Sequence, residues 1–118
     1  MGTLRSEGPG VGVSPQGAAE LLVEGAVLVD VREVHEWEAG HVLGAWHLPL
    51  NGVSDRFGDL PHDRRVVVVC RSGRRSAGVT ALLIQAGFDA VNLDGGLLAW
   101  VETGLPLATD DGNHGQVA

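Results

Sequence analysis

The stretch Val66-Val67-Val68-Val69-Cys70-Arg71-Ser72-Gly73-Arg74-Arg75-Ser76 decides how this 118-residue chain folds. Four consecutive valines bounded by a turn signal indicate a strand that is buried on both faces. Residues 76–86 are predicted to form a helix, so the loop that begins at Cys70 joins the carboxyl end of a strand to the amino end of a helix. Open parallel sheets bind ligands at this edge. Because the N–H groups at a helix start are unpaired, we expect an anion-binding loop here.

Cys70 is the only cysteine of the chain, and this loop favours its thiolate form. The pKa of a free cysteine is about 8.5, and a helix amino end with adjacent arginines commonly lowers it to roughly 3.5–7.5. Gly73 is expected to provide a positive φ or a close approach to substrate. Ser76 is predicted first as the N-cap of the helix, and second as a group that shares a proton with the thiol. A lone cysteine excludes an internal disulfide framework.

Positive charge is concentrated near this loop, although the chain has a formal net charge of −7 and contains no lysine. We therefore expect an acidic body with one basic mouth that attracts small anions. Nucleic acid is not expected as a partner, because phosphate binding is driven by lysine and arginine. The arginines that fall between positions 64 and 75 are Arg64, Arg65, Arg71, Arg74 and Arg75.

Predicted strands and helices alternate along the rest of the chain. Strands are expected at residues 11–13, 26–31, 45–48, 66–69 and 90–93, and helices at 14–24, 34–39, 76–86 and 97–102, with one or two helical turns within 51–60. In the third helix, Val79, Leu82, Leu83 and Ala86 are expected to form the apolar face. Strands separated by helices favour parallel pairing. The predicted fold class is α/β, with an open, mostly parallel sheet of about five strands and helices on both faces.

The chain is long enough for one domain and hardly for two. Residues 1–10 are expected to be a flexible start, residues 11–107 the domain and residues 108–118 a disordered polar tail. No apolar stretch reaches membrane-spanning length, and residues 1–10 lack the apolar core of a signal peptide, so we expect no membrane partner and a cytoplasmic location. The histidines do not combine with carboxylates at metal-ligand spacing, so neither a metal nor another cofactor is expected. They are His35, His41, His47, His62 and His114.

Four segments in this order resemble the rhodanese family of single-domain sulfurtransferases, and the resemblance covers residues 11–107. The segments are 28–33 (LVDVRE), 40–45 (GHVLGA), the loop 70–76 (CRSGRRS) and 93–100 (LDGGLLAW). The resemblance implies a ping-pong transfer of sulfane sulfur, from a small anionic donor such as thiosulfate, through a Cys70 persulfide. With no second cysteine in the chain, the acceptor must be external, namely cyanide in an assay and a small thiol or a protein cysteine in the cell.

Site residues follow from the same resemblance. Asp30 and Arg32 match an Asp-x-Arg segment that packs beside the catalytic loop in the family. Asp30 would orient loop N–H groups or an arginine, and Arg32 would be a second anion contact or a salt-bridge partner, although a purely structural pair at the strand end is an alternative. Substrate binding is expected from the loop, with its three arginines as candidates for anion contact. The loop residues are Arg71, Ser72, Gly73, Arg74, Arg75 and Ser76.

Three other functions remain open. A cysteine-dependent phosphatase or arsenate reductase uses the same thiolate in a loop of N–H groups, but usually has an arginine six positions after the cysteine, where this chain has Ser76. A loop one residue shorter fits a sulfur atom better than a tetrahedral phosphate. Rhodanese-like modules also serve as non-catalytic interaction or regulatory domains, often with the cysteine replaced. A redox sensor would lack a second cysteine to resolve a sulfenic acid.

Overall fold

A sheet of five parallel strands organises residues 11–118, the part of the chain described by this computed structural model. The predicted flexible start, residues 1–10, lies outside this range. The strands are β1 (Gly12–Val13), β2 (Val27–Asp30), β3 (Trp46–His47), β4 (Val66–Val69) and β5 (Ala90–Leu93). Their order across the sheet is β1-β5-β4-β2-β3, and every pair is parallel. The predicted α/β class and strand number are confirmed.

Residues 11–118 also form four α-helices, three of them between strands and one after β5. They are α1 (Pro15–Val23), α2 (Val34–Ala39), α3 (Arg74–Gln85) and α4 (Gly96–Glu102). A 3-10 helix at Val53–Asp59 lies in the segment 51–60, for which one or two helical turns are predicted. Ser14 caps α1 as expected, because its Oγ accepts the Gly17 N–H at 3.0 Å. Among residues 11–118, no helix is long and apolar enough to cross a membrane.

The central strand β4 separates two apolar layers. Val66 and Val68 contribute to the layer that contains the buried residues of α3, while Val67 and Val69 contribute to the layer covered by α1 and α4. All four valines have 0% exposed surface. Each fully buried valine contributes roughly 1.5–3 kcal/mol relative to an exposed one. The four valines, which the sequence predicts to form a strand buried on both faces, therefore belong to both apolar layers.

The apolar face predicted for α3 is only partly correct. Val79 and Leu83 are buried against the sheet, as expected, but the side chain of Leu82 is 48% exposed. Helix α3 also begins at Arg74, two residues before the predicted start, because Gly73 rather than Ser76 is its N-cap. The earlier start places Arg74 and Arg75 of the loop in the first helical turn.

The prediction of one basic mouth is wrong, because the arginines lie at both ends of β4. Arg64 and Arg65 precede the strand and Arg71 follows it, and four strand residues at roughly 3.3 Å each separate the two ends by about 13 Å. At the amino end, Arg64 Nε donates to the Gly25 carbonyl and Arg65 Nε pairs with Asp89. Sequence proximity does not bring these two side chains to the edge that carries Cys70.

The segment 108–118, for which the polar composition predicts disorder, has defined contacts in the structure. Ala108 pairs in antiparallel fashion with His41 and with His114, and the Gln116 N–H donates to the Ala39 carbonyl at 2.9 Å. Val117 packs against the layer covered by α1 and α4. The polar residues of the turn at 109–113 hydrogen-bond to one another. The backbone of this polar segment therefore has hydrogen-bond partners. The folded unit thus continues past the predicted boundary at residue 107.

Gly96 brings the start of α4 into contact with the loop after β4. Its φ is +63°, and a Cβ built on it would lie 2.4 Å from the Arg71 carbonyl oxygen and 2.6 Å from that of Cys70. Both a left-handed backbone and the absence of a side chain are therefore required at this position.

Replacing Gly96 by alanine is expected to destabilise the protein far more than the same change at Gly104. Gly104 also has a positive φ, +90°, but no atom of residues 11–118 lies within 4 Å of its added Cβ. Gly104→Ala should lower the free energy of unfolding by about 1 kcal/mol from backbone strain alone. Gly96→Ala should cost about 3 kcal/mol or more, because the clash is with backbone. Urea unfolding measures both, and equal losses would contradict the predicted contact between α4 and the loop.

Candidate active site

Cys70 lies directly after β4, at the carboxyl edge of the sheet, with its sulfur enclosed by donors from the following loop. The Gly73 N–H donates to Sγ at 3.1 Å, the Ser76 N–H at 3.4 Å and the Ser76 hydroxyl at 3.3 Å. Cys70 is buried in the structure. A ring of donors that all point at one sulfur favours the anionic form.

The pKa of the Cys70 thiol lies below its ordinary value as the result of opposing effects. Burial raises the pKa, since a charged sulfur is poorly solvated there, but the Ser76 hydroxyl and the N–H groups of Ser76, Gly73 and Ser72 lower it by more. The hydrogen bonds outweigh burial because they stabilise the thiolate more strongly than the neutral thiol. The lowered pKa favours the thiolate form of Cys70 relative to a free cysteine.

The first turn of α3 differs from the sequence prediction in a way that changes the role of Ser76. Gly73, with φ +98°, is the N-cap, and the Ser76 side chain lies within the helix and points at the cysteine sulfur. Asn92 on β5 donates from Nδ2 to the Gly73 carbonyl at 3.1 Å and is 4% exposed. Asn92 was missed by sequence reasoning, because its position inside a buried strand gives no signal of a site.

Helix α4 holds the beginning of the loop through backbone bonds. The Leu97 N–H donates to the Cys70 carbonyl at 2.9 Å, and the Leu98 N–H donates to the Arg71 carbonyl at 3.1 Å. These two N–H groups belong to the first turn of α4, where no partner within the helix is available. The loop carbonyls are thus directed at α4, while the loop N–H groups are directed at the sulfur.

Asp30 and Arg32 form a buried ion pair at the end of β2. Arg32 donates from Nε and Nη2 to the Asp30 carboxylate at 2.8–3.1 Å, and the two side chains are 0% and 1% exposed. Arg32 Nη2 also donates to the Gly40 carbonyl at 2.7 Å. Of the two roles expected for Arg32, the contacts correspond to the salt-bridge partner, and they tie β2 to the end of α2.

Arg75 is engaged by Glu36, a residue that the sequence did not single out. Arg75 donates from Nη1 and Nη2 to the two oxygens of Glu36 at 2.8 and 2.9 Å. The hydrogen bond from Arg75 is the main reason why the pKa of Glu36 is lowered to about 2, while burial acts in the opposite direction. Glu36 Oε1 also accepts the Glu33 N–H at 2.9 Å as half of a capping box. The Glu33-x-x-Glu36 spacing was the only available signal in the sequence.

The remaining loop side chains face outward. Arg71, Ser72 and Arg74 are exposed, and Arg71 Nε donates to the Ala118 carbonyl at 2.9 Å. Loop N–H groups and one hydroxyl therefore surround the Cys70 sulfur, and two exposed arginines lie in the same loop. This arrangement can bind an anion and present it with a nucleophile.

Comparison with known proteins agrees with this geometry. Residues 14–103 match the model of the rhodanese-like domain. A sulfurtransferase of Allochromatium vinosum is 41% identical over 90 residues, which cover 75% of this chain and 84% of that protein. The thiosulfate sulfurtransferase GlpE of Pseudomonas entomophila is 39% identical over 102 residues, covering 86% and 93%.

A solved structure is similar over most of its length. The rhodanese-related protein of Thermoplasma volcanium superposes with a TM-score of 0.80 at 26% identity, covering 85% of this chain and 99% of that one. The match to the domain model, the sulfurtransferases among the relatives and the cysteine at the end of β4 agree with one another. The chain belongs to the rhodanese-like domain family.

Proposed function

We propose that this protein is a thiosulfate sulfurtransferase-like enzyme that carries sulfane sulfur on Cys70. The observation that supports this most directly is the set of three donor contacts on Cys70 Sγ, from Gly73 N–H, Ser76 N–H and Ser76 Oγ. Relatives that carry the name thiosulfate sulfurtransferase are 35–39% identical to the chain. The same contacts support the proposed roles of Cys70 as nucleophile and of the loop as the substrate-binding element.

In the first half-reaction, the Cys70 thiolate attacks the outer sulfur of thiosulfate. The new bond joins Sγ to that sulfur, the sulfur–sulfur bond of thiosulfate breaks, and sulfite leaves with the electron pair. The product on the enzyme is a persulfide whose terminal sulfur is an anion. The loop N–H groups would stabilise this anion, as an oxyanion hole stabilises a developing charge.

In the second half-reaction, an external acceptor removes the sulfur. Cyanide attacks the terminal sulfur, thiocyanate leaves, and the electron pair of the broken bond regenerates the Cys70 thiolate. A small thiol or a protein cysteine would act in the same way in the cell, because the chain has no second cysteine to accept sulfur. No cofactor is needed at either step.

We assign binding of the anionic sulfur donor to the exposed arginines of the loop. Arg75 is occupied by Glu36 and Arg32 by Asp30, so neither presents an unpaired guanidinium to an incoming anion. Arg71 and Arg74 are exposed and lie in the segment that carries the nucleophile. Arg74 at the first position of α3 is the preferred candidate, since Arg71 already donates to the Ala118 carbonyl.

Incubation with thiosulfate is expected to add the mass of one sulfur atom to the protein, and cyanide is expected to remove it as thiocyanate. Intact mass spectrometry and a thiocyanate assay measure the two steps, and Cys70→Ser is the control because only the nucleophile changes. No added sulfur and no thiocyanate above the control would reject the sulfurtransferase. Hydrolysis of p-nitrophenyl phosphate instead would indicate a phosphatase, and inactivity in all assays would indicate a non-catalytic module.

Replacing Ser76 by alanine is expected to raise the pKa of Cys70, because the variant loses the hydroxyl hydrogen bond that favours the charged sulfur. The thiolate absorbance near the ultraviolet limit, followed against pH, gives the midpoint. It should move to higher pH in Ser76→Ala, so less thiolate is present at neutral pH. Ser72→Ala is the control, because only the backbone of Ser72 contributes to the pKa. An unchanged midpoint in Ser76→Ala would show that its hydroxyl does not stabilise the thiolate.

Replacing Arg74 by glutamine is expected to raise the KM for thiosulfate about two- to five-fold at low ionic strength, since two unit charges about 4 Å apart in water interact by about 1 kcal/mol. The difference should shrink at high salt, which screens exposed charges. Arg64→Gln removes the same charge from the opposite edge of the sheet and should leave KM unchanged. If Arg74→Gln raises KM equally at both ionic strengths, direct contact is favoured over electrostatic attraction. If Arg64→Gln raises KM as much as Arg74→Gln does, Arg74 is not part of the binding site.

A further inference from the structure

A neutral ion pair occupies the position where the sequence suggested a free positive charge. Glu36 is 7% exposed, and both of its oxygens accept hydrogen bonds from Arg75. Arg75 precedes Ser76, whose N–H and hydroxyl contact the cysteine sulfur. The guanidinium charge therefore belongs to the first turn of α3, next in sequence to a residue that contacts the cysteine sulfur, but a carboxylate cancels most of it.

A second hydrogen bond restrains the Glu36 carboxylate in its pair with Arg75. Glu36 Oε1 accepts the Glu33 N–H at 2.9 Å in addition to the bond from Arg75. This bond fixes the side chain against the first turn of α2. Arg75 is likewise restrained, because both of its terminal nitrogens are used in the pair. The pair thus behaves as one neutral group beside the loop.

We infer that Glu36 tunes the anion affinity of the loop: by neutralising Arg75, it weakens the binding of small oxyanion dianions such as sulfate at residues 71–76. This inference rests on the proposed function, in which donor anions reach Cys70 through this loop. A free guanidinium attracts every dianion, whether or not the anion carries a sulfur that can be transferred. The N–H groups around Cys70 instead recognise an atom placed at the sulfur. Because the attraction of a free guanidinium is common to all dianions, Glu36 lowers their affinity in general, and the choice between them is left to the local contacts.

Glu36→Gln tests the inference, because it removes the negative charge and leaves an amide oxygen that can still accept one bond from Arg75. Sodium sulfate is added to ¹⁵N-labelled protein at constant ionic strength, and the amide signals of residues 71–76 report binding. The variant should bind sulfate about three- to ten-fold more tightly, the change expected from one unit charge near a partly exposed site. Arg75→Gln, which leaves the negative charge, should bind sulfate more weakly by a similar factor.

Two control variants separate local charge from other effects. Asp59→Asn removes the same charge from an exposed pair with Arg56 in the 3-10 helix, and it should bind sulfate within about two-fold of the unmodified protein. The double variant Glu36→Gln with Arg75→Gln replaces the ion pair by two neutral amides of similar shape. Its sulfate affinity should also stay within about two-fold, because the net charge of the pair does not change.

The outcomes are distinct from those of the sulfur-transfer assay, since sulfate binding requires no reaction at Cys70. Unchanged or weaker sulfate binding by Glu36→Gln would overturn the inference even in an active sulfurtransferase. An equal gain from Asp59→Asn would also overturn it, because net charge alone would then explain the effect. Tighter sulfate binding by Glu36→Gln, weaker binding by Arg75→Gln and nearly unchanged binding by the double variant would support the inference. This holds even if thiosulfate loads no sulfur on the protein. The amide spectra report folding for each variant, and if Glu36→Gln does not fold, Arg75→Gln and the double variant still decide between these outcomes.

Discussion

Complete burial of β4 is the constraint on which the rest of the structure depends. The strand pairs with β2 on one edge and β5 on the other, and its valines alternate between the two apolar layers. A shift in register by one residue would exchange the layers that these side chains enter, so the pairing has one favourable register. Because β4 ends at Val69, the next residue leaves the sheet at its carboxyl edge. The position of Cys70 is thus a consequence of packing throughout the domain.

The loop after β4 is shaped mainly by backbone bonds rather than by its own side chains. Carbonyls of Cys70 and Arg71 accept N–H groups from α4, and the Gly73 carbonyl accepts the Asn92 amide. With these carbonyls satisfied by neighbouring elements, N–H groups of the loop remain directed at the sulfur. The second glycine after Asp94 permits this contact, because a side chain on Gly96 would overlap the Cys70 and Arg71 carbonyls. The LDGGLLAW segment therefore contributes to the site through its backbone.

Charge around the site is organised by pairing, and not by the number of arginines. The Asp30–Arg32 and Glu36–Arg75 pairs are both at the carboxyl edge, and each uses a carboxylate of the β2–α2 region. A buried charge is stable only when a partner and hydrogen bonds replace water, which explains the short, multiple contacts between Arg32 and Asp30. The Arg75 side chain is 33% exposed, and its partner Glu36 is the more buried member of that pair. The edge presents Arg71 and Arg74 to solvent instead. An acidic chain can in this way hold an anion site without a large positive surface.

The sequence alone determined the order of strands and helices, because the valine run of β4 and the glycine and proline stops are local signals. The likeness to the rhodanese family could also be recognised from short segments, since Cys70 and its loop are contiguous in the chain. Only the tertiary structure decided that Ser76 faces the sulfur, that Glu36 holds Arg75 and that Asn92 supports Gly73. It also separated Arg64 from Arg71 and gave partners to the polar segment 108–118. These features depend on contacts between residues far apart in sequence, whose distances are set by strand order and packing and leave no local pattern.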